Sequence, residues 1–267
     1  KMGKTLGNIG LISLPFLYFN ENAYVSCLGV KRSLIALAFE FRIFVNYKVN
    51  GFNDETHDYC GKILAKLLKM NAGPSIKLGQ HLSQHHHVLP DTFVKHMEPF
   101  CQSNPTTSYK EVRRLFKKQI GKDIFDVFDY FEEDPIAVGS IAQVHKAKIK
   151  EGDYVAVKIQ HPKIIYQTKG DIQVCKLSCY LGERLFEGVK LNWIYKDFKK
   201  NLLEEVNFNK EVENMIKARQ LFRKERRVVI PRVYKDLSST RVLTMSLEEG
   251  KSICDVSYRR DNNIKVS

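Results

Sequence analysis

The stretch Ala137-Val138-Gly139-Ser140-Ile141-Ala142-Gln143-Val144, followed after the turn Glu151-Gly152-Asp153 by Val155-Ala156-Val157-Lys158, constrains this fold more than any other part of the chain. The first eight residues keep the G-x-G-x-x-G-x-V spacing of a loop that covers nucleotide phosphates. Only the middle glycine remains, with Ala137 and Ala142 at the outer positions. An alanine there confines the loop to ordinary backbone angles and adds a Cβ near the phosphates, so a stiffer loop with altered nucleotide preference is expected. The V-A-x-K segment then offers a lysine to hold the α- and β-phosphates. Each half alone is weak, because a V-x-V-K strand is usually half-buried with a solvated lysine. In this order, joined by a short hairpin, they predict the first three strands of a nucleotide-binding lobe.

The chain is long enough, at 267 residues, for one large or two small domains. Its formal net charge of +13 favours anionic partners such as nucleotides, anionic lipid or nucleic acid, without choosing among them. The six cysteines (Cys27, Cys60, Cys101, Cys175, Cys179, Cys254) lack C-x-x-C spacing and read as buried free thiols, with Cys175 and Cys179 on one helical face. Residues before Glu21 are basic and acid-free, with an apolar run from Ile9 to Phe19 broken by Pro15. A second apolar run, Leu34 to Val45, carries Glu40 and Arg42. Neither reaches the ~20 uncharged residues of a spanning helix; a mitochondrial targeting segment, an interfacial anchor or a poorly ordered start all fit.

Apolar spacing predicts helices over Asp58–Met70, from Pro74–Ser75 onward, over Thr92–Met97, from a Ser108–Glu111 capping box to Gly121, over Asp171–Phe186, and one long helix from Trp193 to Phe222 capped by Asn192. The segments Val228–Tyr234 and Arg241–Met245 predict two strands around Ser238-Ser239. The tract His85-His86-His87 lacks a carboxylate or cysteine at ligand spacing and reads as a solvated run with no metal.

Four segments in order resemble the ADCK/UbiB (aarF-domain-containing) atypical kinase family: Lys77-Leu78-Gly79-Gln80 its KxGQ signature, Pro135 to His145 its alanine-rich loop, Lys158-Ile159-Gln160-His161-Pro162 its K-[IV]-Q-[HY]-P, and Glu205-Val206-Asn207-Phe208 with Glu211 and Asn214 its E-x-D-F-x-x-E-x-x-N. The flanks are most like the first of the family's animal paralogues, a mitochondrial branch. The resemblance implies an α+β, protein-kinase-like N-lobe, an antiparallel sheet plus an αC-like helix, with a helical N-terminal extension. It divides the chain into a targeting or membrane-proximal segment (1–50), a helical extension (51–125), the lobe (126–245), and a hinge opening a second lobe (246–267). Lys158 would orient the phosphates and pair with Glu211, and Lys77 would pair with Glu205. Ala137, Val138, Gly139, Ser140, Val144, Ala156 and Met245 would surround ATP, and the backbone of Ser246, Leu247 and Glu248 would meet adenine. Breaking a buried lysine–glutamate pair is expected to cost about 3–5 kcal/mol. The family setting is ATPase or lipid-linked kinase chemistry in coenzyme Q and mitochondrial lipid homeostasis, at the inner membrane.

Departures limit what carries over. Asn207 stands where the family has aspartate, and Ser246 where the hinge is usually acidic. No D-F-G and no Asp-x-x-x-x-Asn loop after Met245 occur, so the catalytic base and magnesium ligands of the full-length parent, and the C-lobe they sit on, are expected outside this sequence. Catalytic incompleteness and no detectable ATPase of this chain alone are the corresponding expectations. The other reading is a membrane-associated scaffold or weak nucleotide-binding module, using its basic helices on an anionic lipid surface. Nucleic-acid binding has no motif behind it.

Overall fold

Alternation along one strand sets the architecture. In β4 (Tyr154–Gln160), Val155, Val157 and Ile159 are fully buried on one face, while Ala156, Lys158 and Gln160 turn to the other. The computed structural model describes residues 21–85, 89–98, 106–251 and 255–264. The apolar run Ile9–Phe19, and His86 and His87, lie outside the described residues.

Strands β1 (Phe128–Phe131), β2 (Ala137–Val138), β3 (Ala142–Ile149), β4 and β5 (Val242–Ser246) form an antiparallel sheet of order β1-β3-β4-β5, with β2 also on β3. The expected hairpin is present, Val144 pairing with Lys158. Helices whose ranges follow chain order are α1 (Glu21–Asn50), α2 (Asp54–Asn71), α3 (Pro74–Leu82), α4 (Asp91–Val94), α5 (Tyr109–Ile120), α6 (Ile124–Val127), α7 (Ile164–Leu185), α8 (Asn192–Glu205), α9 (Phe208–Leu221) and α10 (Val256–Asp261). The α5 stripe of Val112, Leu115 and Phe116 packs on the Val155–Ile159 face with Phe128 and Phe131. On the opposite face Phe208 of α9 meets Ile141, Ala142, Ile164 and Leu243. The result is the expected α+β arrangement of sheet plus αC-like helix.

Local chemistry explains several boundaries. Asn53 caps α2, its side chain accepting from the Thr56 N–H at 2.9 Å, so the helix starts at Asp54 rather than Asp58. It ends where Ala72 (φ 51°) and Gly73 (φ 55°) reverse the chain, and a Cβ on Gly73 would lie 2.7 Å from Gln167 Oε1. Ser108 does not form the expected capping box. Its hydroxyl donates to Glu111 Oε2 at 3.0 Å, and its side chain makes no bond to the helix backbone. Helix α7 starts before Asp171, because Ile164 follows directly on the turn after β4 and is buried against the sheet's second face. The Val228–Tyr234 strand does not form. Val233 makes only an isolated bridge to Met245, and a 3₁₀ turn, Lys235–Leu237, leads to β5. Pro231 removes a ladder donor in that segment.

The long helix predicted from Trp193 to Phe222 is two helices. Asn192 is inside α8 rather than capping it, and the break falls at Val206-Asn207. Asn207 is extended (φ −116°, ψ 95°) and caps α9, accepting from the Asn209 N–H at 3.2 Å.

The helical extension is joined to α7 by polar chemistry. Arg32 of α1 donates from Nη2 to both oxygens of Asp171 at 2.9 and 2.8 Å, and Ser75 Oγ donates to the same carboxylate at 2.7 Å. Cys60, Cys175 and Cys179 are buried free thiols, as expected. No helix among the described residues is long and apolar enough to cross a membrane.

Glu40 of α1 faces the same buried zone, with one carboxylate oxygen lacking a partner. Burial raises its pKa from 4.5 to about 7, opposed by a bond from Ser178. A carboxyl held above its unfolded value binds its proton more tightly in the folded chain. Its stabilising contribution is therefore complete below pH 4.5 and lost as pH rises through about 7. Glu40→Gln is expected to flatten this slope and to stabilise the chain above pH 7 by up to about 3 kcal/mol. Urea unfolding at about pH 5 and about pH 8 measures this, and equal slopes for both proteins would contradict it.

Candidate functional site

Lys158 leaves the sheet on the Ala156–Gln160 face, flanked by Val144 on β3 and Leu243 on β5. Its ammonium reaches both oxygens of Glu211 at 2.7 Å, and lies 4.8 Å from the centre of the Phe208 ring. Lys77 of α3 donates to Glu205 Oε1 at 2.9 Å, while Glu205 Oε2 is buried without a partner. Both pairs border one open cavity of about 1020 Å³. The break at Val206-Asn207 makes this possible. In an unbroken helix, residues six apart point about 120° away from each other; ending α8 at Glu205 and restarting at Phe208 lets both carboxylates face the cavity.

The residue that holds the break stood in the sequence only as part of the Lys158–Pro162 motif, with no role assigned to it. Gln160 is 1% exposed; its amide donates to the Val206 carbonyl at 2.6 Å and its oxygen accepts from Arg241 Nε at 3.1 Å. Arg241 also donates to the carbonyls of His161 and Pro162 at 3.1 and 2.9 Å. A glutamine in a strand otherwise rich in valine and isoleucine was the available signal.

The small-residue loop forms the roof. Gly139 N–H donates to the Ala142 carbonyl at 2.7 Å, so a Cβ on Gly139 would stand 3.3 Å from that oxygen. His161 Nε2–H donates to the Gly139 carbonyl at 3.0 Å, and Nδ1 accepts from Thr107 Oγ1 at 2.7 Å. Burial lowers the His161 pKa, keeping it neutral in this role. The loop is thus tied at its tip.

Most of the sequence-derived residues meet here. Lys77, Gln80, Ala137, Val138, Gly139, Ser140, Val144, Lys158, Glu205, Glu211 and Met245 line the cavity, joined by Asn201 and Lys210, which sequence reasoning did not single out. Gly79 is buried within α3, and Asn207 serves as a cap. Ala156 sits beside Met245 under the sheet without lining the cavity. Ser246, Leu247 and Glu248 do not line it either. The Ser246 N–H already donates to Arg232 O at 2.8 Å and the Leu247 N–H to Tyr154 O at 3.3 Å. Ser246 Oγ in turn donates to Glu248 Oε1 at 2.5 Å. The Lys158–Glu211 pair is also less enclosed than expected, with side chains 24% and 37% exposed. A half-open pair in high dielectric is worth about 0–1 kcal/mol to folding, not the value for a buried one.

Residues 100–267 match the model of the ABC1 atypical kinase-like domain. The chain is 33% identical over 264 residues to AarF domain-containing protein kinase 1 of Gallus gallus, covering 94% of this chain and 51% of that protein. It is 31% identical over 269 residues to the ABC1 family protein MCP2 of Saccharomyces cerevisiae, covering 93% and 47%. The chain therefore spans about half the length of these curated relatives. Among solved structures, Rv3197 of Mycobacterium tuberculosis, in complex with erythromycin, superposes with a TM-score of 0.50 at 26% identity, covering 67% of this chain and 46% of that one.

Proposed function

The chain belongs to the ABC1/AarF atypical kinase family, and from that premise we propose that the cavity under the 137–142 loop binds ATP, with Lys158 on its phosphates. The observation that carries this reading is the bidentate hold of Glu211 on Lys158, 2.7 Å to each oxygen, under a loop tied at Gly139. A fixed ammonium beneath a small-residue turn is a preorganised phosphate anchor. Val144, Met215, Ala218 and Met245 offer an apolar wall to a purine, and about 1020 Å³ accommodates a nucleotide. Because the Ser246 and Leu247 donors are already used, adenine would be held mainly by this wall rather than by hinge hydrogen bonds.

Magnesium fits the described residues poorly. The carboxylates facing the cavity are Glu204, Glu205 and Glu211, and the last two are committed to lysines. No open pair of carboxylate ligands results, so no step is assigned to a metal here.

For the whole protein, the reading is an ATP-dependent ATPase or phosphotransferase acting in mitochondrial lipid and coenzyme Q homeostasis. The Lys77–Glu205 pair borders the cavity, and the family resemblance, which implies that the helices carrying it cover the place where a polypeptide would lie, supports a small or lipid-linked acceptor. The net charge of +13 supports a setting beside anionic lipid, and the resemblance to a mitochondrial branch of the family supports a mitochondrial one.

Titration of the purified chain with a fluorescent ATP analogue, displaced by unlabelled ATP, tests the reading. Saturable binding with a Kd below about 1 mM is expected. Absence of displaceable binding at that concentration would refute it.

A further inference from the structure

The histidine tract that sequence reasoning set aside acquires a carboxylate in three dimensions. His81 closes α3 and His85 follows one turn later, while Asp197 comes from the middle of α8, more than a hundred residues away in sequence. His81 Nε2 lies 3.2 Å from His85 Nε2 and 3.0 Å from Asp197 Oδ2, and one ligand atom from each residue falls within 4.8 Å of the others.

Hydrogen bonding alone serves this cluster badly. Nε2 of His81 faces both the His85 ring nitrogen and a carboxylate oxygen: if it carries a proton, that one proton is shared between them, and if it accepts from His85 instead, its lone pair faces the carboxylate. A cation at the centre would take a lone pair from each of the three. Ligands bound tetrahedrally at 2.0–2.1 Å stand about 3.3 Å apart, and two of the three separations are already near that value.

We propose that His81, His85 and Asp197 bind a divalent d-block cation of the zinc class, stapling α3 to α8 behind the Lys77–Glu205 pair.

Two imidazoles and one carboxylate are a borderline ligand set suited to zinc, cobalt or nickel rather than to magnesium or calcium. The surroundings hold the ligands in place. The Trp193 ring meets the His85 ring edge-on at 5.3 Å, and Asn201 Nδ2 donates to Asp197 Oδ2 at 3.3 Å. A space of about 180 Å³ adjoins the cluster on the His81 side, lined also by Gln84, Asn201 and Glu205.

The position gives the site a consequence. His81 is one helical turn from Lys77, and Asp197 is two turns from Glu205. A metal joining His81 to Asp197 would fix the two helices that carry the Lys77–Glu205 pair. Metal binding itself needs no nucleotide, so it stands or falls apart from the ATP reading.

Tag-free full chain titrated with Zn²⁺, and separately with Co²⁺, tests the proposal. One equivalent should bind, and cobalt should give the intense visible bands of a tetrahedral nitrogen–oxygen site without thiolate charge transfer. Asp197→Asn and, as a second variant, His85→Gln should each weaken binding at least about tenfold, with circular dichroism unchanged. His86→Ala/His87→Ala should leave affinity within about twofold. No stoichiometric binding, a thiolate signature, full affinity in Asp197→Asn, or loss confined to His86→Ala/His87→Ala would each overturn it.

Discussion

Asp171→Ala is expected to destabilise the chain by about 3–5 kcal/mol, a large part of a typical folding free energy of about 5–15 kcal/mol. Asp171 and Arg32 are 11% and 15% exposed, and the carboxylate receives two bonds from the guanidinium and one from Ser75. Removing it leaves Arg32 charged in a site closed to water. That desolvation, rather than the lost attraction, supplies most of the penalty. The account predicts an asymmetry: Arg32→Met/Asp171→Leu, which removes both charges and keeps the volume, should cost less than half as much as Asp171→Ala. Urea midpoints of the two proteins decide it. A double variant as unstable as the single would show that the pair contributes attraction instead. Helix α1 should loosen first in Asp171→Ala, visible as faster amide exchange over Leu34 to Val45, because Arg32 ties α1 to α3 and α7.

Lys158→Ala is expected to lower ATP affinity by about 10- to 100-fold, the worth of one charge-assisted bond to phosphate, while changing folding stability by less than about 1 kcal/mol. The separation follows from exposure. With 24% of Lys158 and 37% of Glu211 open to solvent, the pair adds little to the fold, yet it faces the cavity where phosphate would sit. Glu211→Gln should weaken ATP less than Lys158→Ala, because it frees the ammonium without removing it. Displacement titration and thermal unfolding of the same samples measure both quantities. Unchanged ATP affinity in Lys158→Ala would remove the phosphate anchor from the proposal.

Much of the lobe was legible because its signals are local. Period-two burial placed Val155, Val157 and Ile159 on one face and Lys158 on the other, and the hairpin through Glu151-Gly152-Asp153 required only neighbouring residues. The end of α2 at Ala72-Gly73 and the stop of α5 at Gly121 (φ 81°) were equally local. The Lys158–Glu211 and Lys77–Glu205 pairings came instead from resemblance to the family's four motifs, since no spacing rule joins residues 53 or 128 positions apart.

The failures share a physical cause. Trp193 to Phe222 has good helical periodicity throughout, and the break at Val206-Asn207 depends on Gln160 and Arg241 holding a carbonyl from across the sheet. The segment Val228–Tyr234 has strand composition, but its place at the sheet allows only the Val233–Met245 bridge. Of the Ser246–Glu248 backbone groups expected at adenine, the N–H donors of Ser246 and Leu247 go instead to the carbonyls of Arg232 and Tyr154. The tract His85-His86-His87 reads in sequence as having no carboxylate at ligand spacing, and α8 brings Asp197 beside His81 and His85.

The sequence by itself determined the β3–β4 hairpin and the helix stops at Ala72-Gly73 and Gly121, because side-chain alternation and turn preferences act over a few residues, while the two lysines and two glutamates were singled out by resemblance to the family's motifs. Only the tertiary structure decided where the 193–222 stretch breaks, how open the Lys158–Glu211 pair is to water, and that Asp197 joins His81 and His85. Those outcomes depend on how separate helices pack, and packing is set by the summed shape and burial of many residues rather than by any one stretch of chain.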